Sequence, residues 1–286
     1  MRRLAKPCKD DGTPLVPKEV FQLCANAICS EAYRTRVLGV ADQVAEAARE
    51  YDHKAVAAEL HLFPRQGGVG NVTTEDMKEL YTQHLVPSKQ AGRAIYDKIL
   101  NSAPYGRCPL CDVGTANTLD HHLPKNEYPI LAVTPNNLIP ACPWCQGKKL
   151  TFYPESAEEQ TLHPYFDDFD AQPWLTAVVV EAVPAAFKYA AVCPPGCDDV
   201  GFARLKNHLD KFQLPKLFAL QAGSELSEIR RPLKRVLDAG GGGAVRTHLQ
   251  EKAADLEAVA KNSWKTAMYR AAAASDWFCN GGFNGT

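Results

Sequence analysis

The sequence has no uninterrupted apolar run of the roughly 18 residues that a membrane-spanning helix needs. Its best candidate, residues 177–193, is broken by Glu181, Pro184 and Lys188, which excludes membrane insertion. It also lacks a net charge of either sign: 32 Lys+Arg against 33 Asp+Glu leave −1. Bulk charge therefore cannot draw the chain onto nucleic acid or an anionic lipid surface, and any site for a polyanion must be local. The start, Met1-Arg2-Arg3-Leu4-Ala5-Lys6-Pro7, is basic but has no apolar stretch or cleavage site behind it. It does not read as a secretory signal, and a cytoplasmic location is expected. Internal repeats and long low-complexity tracts are missing too, which argues against a repeat architecture. What remains is the composition of a folded protein, 45% hydrophobic and 23% charged over 286 residues. That length suits two compact units, or one catalytic unit with extensions.

Ten cysteines exceed what packing requires, and without a secretory signal they are expected as reduced thiols. Cys8, Cys24, Cys29 and Cys279 stand singly and read as small buried hydrophobes. Cys193-Pro-Pro-Gly-Cys197 reads as a turn carrying two thiols. Cys108-Pro-Leu-Cys111 and Cys142-Pro-Trp-Cys145 are two C-x2-C knuckles, whose four soft thiolates suit a tetrahedral structural Zn²⁺. Residues 112–141 lie between them, so the insert is a structured excursion whose ends the zinc would hold together.

Apolar residues at spacings of three and four, Val37, Val40, Val44, Ala47, Tyr51, Ala55 and Ala58, predict an amphipathic helix within 37–61. Asn71 to Asp76 read as a helix start with acids in its first turn, and residues 1–100 as a helical N-terminal arm. From about 101 to 173, prolines, paired cysteines, aromatics and histidines concentrate. Strand-like pieces are expected there at 117–123 and 130–133. Residues 174–286 read as mainly helical after a strand, turn and strand at 174–192. Helices are expected at 202–212, 216–229 and 244–274, with Gly240 to Gly243 as a flexible joint.

Between the knuckles lies Leu119-Asp120-His121-His122-Leu123-Pro124-Lys125, followed by Pro135-Asn136-Asn137-Leu138. Asp120 offers a hard oxygen to Mg²⁺ or Mn²⁺, and His121 an imidazole suited to general-base work. Successive side chains on a strand point to opposite faces. The two serve one phosphate only if the strand ends or bulges there, as Pro124 allows. The Asn137 amide can satisfy backbone groups and fix the connecting loop.

The order C-x2-C, D-H-x-x-P, N-L, C-x2-C and a following lysine, from Cys108 to Lys149, resembles the HNH endonucleases. In that group a ββα-metal unit clasps one divalent ion. The resemblance implies an α+β fold, with a small ββα-metal core in 101–173 pinned by a Cys108/Cys111/Cys142/Cys145 zinc and flanked by helical segments. It further implies Asp120 as a ligand of a catalytic Mg²⁺ or Mn²⁺, His121 as general base with His122 packing beside it, and Asn137 as the brace of the loop. Gln146 stands where the family usually has asparagine or histidine, and His163 in His163-Pro-Tyr-Phe-Asp167 is the alternative candidate for that coordination position. Lys125, Lys148, Lys149 and Arg107 are candidate phosphate contacts, and Lys206, Lys211, Lys216, Arg230, Arg231, Lys234 and Arg235 a candidate basic stripe. Asp120 to Pro129, His163 to Asp167, Arg204 to His208 and Phe278 to Phe283 are similar to a bacterial subgroup often found in phage-defence or restriction loci. The expected activity is hydrolysis of phosphodiester bonds in DNA, double-stranded by preference, with an ATPase of a defence system or a second copy of the chain as partner. Two other readings share these motifs: a catalytically inactive zinc-stabilised binding module, and an RNA-cleaving nuclease of the same type.

Overall fold

The helices begin where side chains can satisfy the free amides of a first turn. In a computed structural model, which describes residues 2–285, Ser30 caps the helix Glu31–Leu38 (α2), which follows Pro17–Asn26 (α1). The predicted amphipathic helix is Ala41–Val56 (α3), and it buries Val44, Ala47, Tyr51 and Ala55. A minimal hairpin, Gly68–Val69 (β1) with Val72–Thr73 (β2), leads into Thr74–Glu79 (α4). A capping box starts α4: the Thr73 hydroxyl accepts from Asp76 N at 3.2 Å and the Asp76 carboxylate accepts from Thr73 N at 2.9 Å. The helix then widens into a π-helical turn, Leu80–Leu85, in which Val86 N donates to Tyr81 O, five residues back. Arg93–Leu100 (α5) follows.

After α5 come Thr118–His121 (β3), Leu138–Ala141 (β4) and Pro143–Lys149 (α6). β3 and β4 pair antiparallel, Thr118 opposite Ala141 and His121 opposite Leu138. The expected strand at 130–133 does not form. Pro129 opens a 3-10 turn there, Pro135 opens another, and the buried apolar run Ile130 to Val133 is core filling between them. The chain from Arg2 to Asp167 forms one compact unit, in which residues 2–100 pack with the cysteine-rich segment. Phe21, Tyr51, Met77, Leu80 and Ile99 from the helices of residues 2–100 share one apolar core with Leu119, Leu123, Leu131 and Leu138 of the cysteine-rich segment.

The second unit begins at Asp168. Its antiparallel hairpin, Leu175–Val180 (β5) with Ala186–Ala191 (β6), alternates inward and outward residues. Asp198 caps Asp199–Lys211 (α7). Leu214–Ala260 (α8) runs through the glycine stretch, and within it only Gly241 leaves helical dihedrals (φ 69°, ψ −171°). The joint is therefore a single kink and not a flexible linker. The expected helix 244–274 is broken at Ser263, which caps Trp264–Ala274 (α9), and Asp276–Cys279 (α10) closes the unit. Phe187 meets Phe278, and Tyr189 meets Phe218, across the hairpin and helices. Of the single cysteines, Cys24 and Cys279 are buried as expected, whereas Cys29 is exposed and Cys8 half-buried. The whole is a mixed α+β structure, and among the described residues no helix is long and apolar enough to cross a membrane.

Candidate active site and metal centre

The four knuckle cysteines converge. Cys142 precedes α6 and Cys145 sits in its first turn, while Cys108 and Cys111 lie in the loop that follows α5. All four are buried, and their sulfur atoms lie within 4.8 Å of one another. The Cys111 and Cys142 sulfurs are 3.7 Å apart, close to the roughly 3.8 Å that tetrahedral bonds of about 2.3 Å to zinc impose. The donor set, its burial and this spacing fit a structural metal such as zinc. Local backbone makes the fit: Asp112 adopts φ 56°, Asp112 N donates to Cys108 O and Cys108 N donates to Gly114 O, each at 2.8 Å. A Cβ on Gly114 would stand 2.7 Å from Cys142 Cβ, so only glycine lets the first knuckle approach the second. Arg2 Nε donates to the Asp112 carboxylate at 2.6 Å, and Arg2 N to Pro109 O at 2.8 Å. The N-terminal segment is thereby tied to the knuckle.

The hairpin hung from these cysteines carries Asp120 and His121 at the end of β3. The strand ends at His121 but does not bulge: Asp120 and His121 pair in regular register with Ile139 and Leu138, which leaves Asp120 half-buried on one face and His121 buried on the other. Asn137, fully buried, fixes the loop beyond it. Its Oδ1 accepts from Leu123 N at 2.8 Å, and its Nδ2 donates to Leu123 O at 3.0 Å and Leu131 O at 3.3 Å. His122 N donates to Asn137 O at 2.8 Å.

His121 is 4% exposed, and its Nε2 lies 2.8 Å from Ala132 O. A carbonyl can only accept, so Nε2 carries the hydrogen and Nδ1 the lone pair. Burial, and then the Lys125 charge, push the imidazole pKa down to about 3, which keeps the ring neutral. Tyr81 packs edge-to-face on it, with centroids 4.5 Å apart. Burial raises the Asp120 carboxyl pKa, and the Lys149 ammonium works against that rise.

Lys149 is not on a phosphate-facing surface, as its place after the knuckle suggested. It is 4% exposed, and its Nζ donates to His121 O at 2.6 Å and lies 3.4 Å from Asp120 Oδ2. Three positions before it on α6, Gln146 is exposed. His163 is also placed differently from the expected ligand. It is 2% exposed, with Nε2 2.8 Å from the Tyr51 hydroxyl and Nδ1 accepting from Tyr165 N at 3.2 Å, so both ring nitrogens are engaged in the core. Its ring stacks on His122 at 4.1 Å. Among the described residues, no second group of three or more His, Cys, Asp or Glu side chains converges besides the four cysteines. Of the remaining cations, Lys125 is partly buried over the Tyr81 ring (4.9 Å), Lys148 lies over Trp144 (5.2 Å) and Arg107 is exposed.

Against known proteins, the chain is 30% identical over 234 residues to protein Ea31 of Escherichia phage lambda, covering 77% of this chain and 79% of that protein. The chain belongs to the Ea31 family. It is also 35% identical over 74 residues to the Septu protein PtuB of Bacillus thuringiensis, 26% of this chain and 28% of that protein. No family model and no solved structure matches it.

Two residues that shape the site in this Ea31-family chain are absent from the motif reading in these roles. Tyr81 lies at helical spacing with Met77, Leu80 and Leu85, a pattern that reads as core. The Lys149 side chain is turned inward because α6 ends there: Leu150 takes φ 50°, and burial among β3 groups offers the ammonium a carbonyl and a carboxylate.

Proposed function

We propose that the chain is a metal-dependent endonuclease of HNH type, hydrolysing phosphodiester bonds in DNA through the ββα unit of β3, β4 and α6. The four-cysteine cluster and the similarity to Ea31 and PtuB are compatible with a zinc-knuckle nuclease of this kind. The observation that carries the reading is the held tautomer of His121: Nε2–H is committed to Ala132 O, which leaves Nδ1 as the base, one residue from the Asp120 carboxylate. A Mg²⁺ or Mn²⁺ ion bound by Asp120 would polarise the phosphate and stabilise charge on the leaving 3′ oxygen.

The chain's own residues do the rest. His121 Nδ1 accepts the proton of the water attacking in line, being the nitrogen that the Ala132 bond leaves with its lone pair. Asn137 keeps the loop, and with it Ala132 O, in register with the imidazole by holding Leu123 and Leu131. Lys149 holds the carboxylate and the His121 carbonyl from the side of α6. Arg107, Lys125 and Lys148 supply local positive charge that the near-zero net charge does not. Weak affinity of the isolated chain follows, and with it a need for a partner: an ATPase of a phage-defence system, or a second copy.

The test is end-mapped digestion of plasmid DNA and of an RNA of matched length, each with Mg²⁺, with Mn²⁺ and with chelator. DNA cut to 5′-phosphate and 3′-hydroxyl ends in a metal-dependent manner supports the proposal. Cleavage confined to RNA would replace the substrate class. No cleavage of either would favour the zinc-stabilised binding module, for which the exposed Gln146 speaks.

A further inference from the structure

Tyr81 belongs to none of the motifs, yet three parts of the site meet on its side chain. The hydroxyl donates to Leu119 O of β3 at 2.8 Å. The ring meets the His121 imidazole at a centroid distance of 4.5 Å and an angle of 66°. The Lys125 ammonium lies 4.9 Å from the centroid of the same ring. The residue is 7% exposed, so these contacts are fixed by packing. They are also fixed by backbone: Tyr81 sits in the π-helical turn that extends α4, its carbonyl bonded five residues ahead to Val86 N. Such widened turns are uncommon and concentrate at functional sites. On the same edge of β3, Leu119 N donates to the Tyr96 hydroxyl at 3.3 Å. The unpaired edge of β3 is thus held by two tyrosines from the helical part of the unit.

His121 is consequently restrained in two directions, through Nε2 by Ala132 and across its face by Tyr81. A ring flip would exchange Nε2 for Cε1 against the Ala132 carbonyl and lose that hydrogen bond, and the tyrosine ring packed against the imidazole opposes the rotation. We propose that Tyr81 is a positioning residue: it locks the imidazole of His121 with Nδ1 as the free nitrogen, and it seats Lys125 as the cation that receives the scissile phosphate. This rests on the nuclease reading and adds to it a residue from outside the knuckles.

The experiment compares wild type with Tyr81→Phe, Tyr81→Leu and Lys125→Ala, each checked for zinc content. It reads imidazole nitrogen NMR signals at fixed pH and steady-state plasmid nicking. The wild type shows His121 with hydrogen on Nε2. Tyr81→Phe keeps the ring and with it the tautomer and most of the rate. Tyr81→Leu gives mixed tautomers and a kcat lower by about 10–100-fold, the scale of a misplaced catalytic group. Lys125→Ala raises KM and leaves the nitrogen signals alone. Unchanged signals and kcat in Tyr81→Leu would overturn the proposal. If Tyr81→Leu does not retain zinc, Tyr81→Phe decides: loss of the tautomer with the ring still present contradicts positioning by the ring. Should the wild type cut no nucleic acid, the nuclease reading fails separately, while the nitrogen signals still show whether Tyr81 sets the imidazole.

Discussion

Lys149 Nζ and Asp120 Oδ2 lie 3.4 Å apart in a pair whose side chains are 3% and 14% exposed, and the same ammonium donates to His121 O at 2.6 Å. One cation thus joins the end of α6 to the two residues that close β3. Removing one partner of a buried pair leaves the other charge without compensation, the costly direction of change. Lys149→Met is expected to destabilise the chain by about 2–4 kcal/mol, and Lys149→Gln, which keeps a donor for His121 O, by less. Urea unfolding of the two variants checks the order; equal stability would show that the carbonyl bond and the ion pair contribute little.

One zinc per chain is expected, held by Cys108, Cys111, Cys142 and Cys145. Because ligand and fold energies are shared in such sites, Cys145→Ser or a strong chelator should lower the melting temperature and loosen the β3–β4 hairpin, whereas Cys29→Ser should do neither. Elemental analysis with thermal melts decides. A full-length protein that is equally stable without metal contradicts the assignment.

The capping box at α4 gives a pH signature. Burial opposes ionisation of Asp76, but the Arg36 guanidinium and the Thr73 bonds outweigh it and hold the carboxyl at about 2, below its ordinary 3.8. A folded-state pKa below the unfolded one contributes stability above the unfolded value and loses it as pH falls toward the folded one. Asp76→Asn should therefore cost about 1 kcal/mol near neutrality, and the gap to wild type should close between pH 4 and 2. A difference that stays constant through that range would contradict the role given to the carboxylate.

Asn137 makes three bonds to two backbone segments while fully buried. Asn137→Ala strands Leu123 N and O, at a cost of about 2–3 kcal/mol. Hydrogen exchange at the Leu123 amide should accelerate more than exchange in α3. Uniform acceleration would mean a general loss of stability and not a loosened loop.

Much of this was legible in advance. The paired knuckles, the Asp120-His121 dipeptide and Asn137 stand at fixed spacings, and spacing survives folding because each element is local. α3 was visible through its apolar period, and the β5–β6 hairpin as a strand, turn and strand. Where the structure departs from the expectations, the physical causes are of two kinds. Ile130 to Val133 is apolar enough for a strand, but Pro129 and Pro135 turn it into 3-10 turns. His163 has a ligand's chemistry, yet Tyr51, on α3 of the same unit, takes its Nε2. Lys149 looks like a surface cation until the end of α6 turns it inward. The places of His163 and Lys149 depend on what packs opposite, which a sequence pattern does not carry, whereas the prolines that break up 130–133 stand in the sequence itself.

The most direct measurement is metal-supported nicking of supercoiled plasmid by the zinc-loaded wild type and by His121→Ala of equal zinc content. A general base is worth about 10² to 10⁴ in rate, so the variant should fall by at least the lower figure with its melting curve little changed. Equal rates in the two proteins would contradict the central claim that the Nδ1 atom of His121 takes the proton from water.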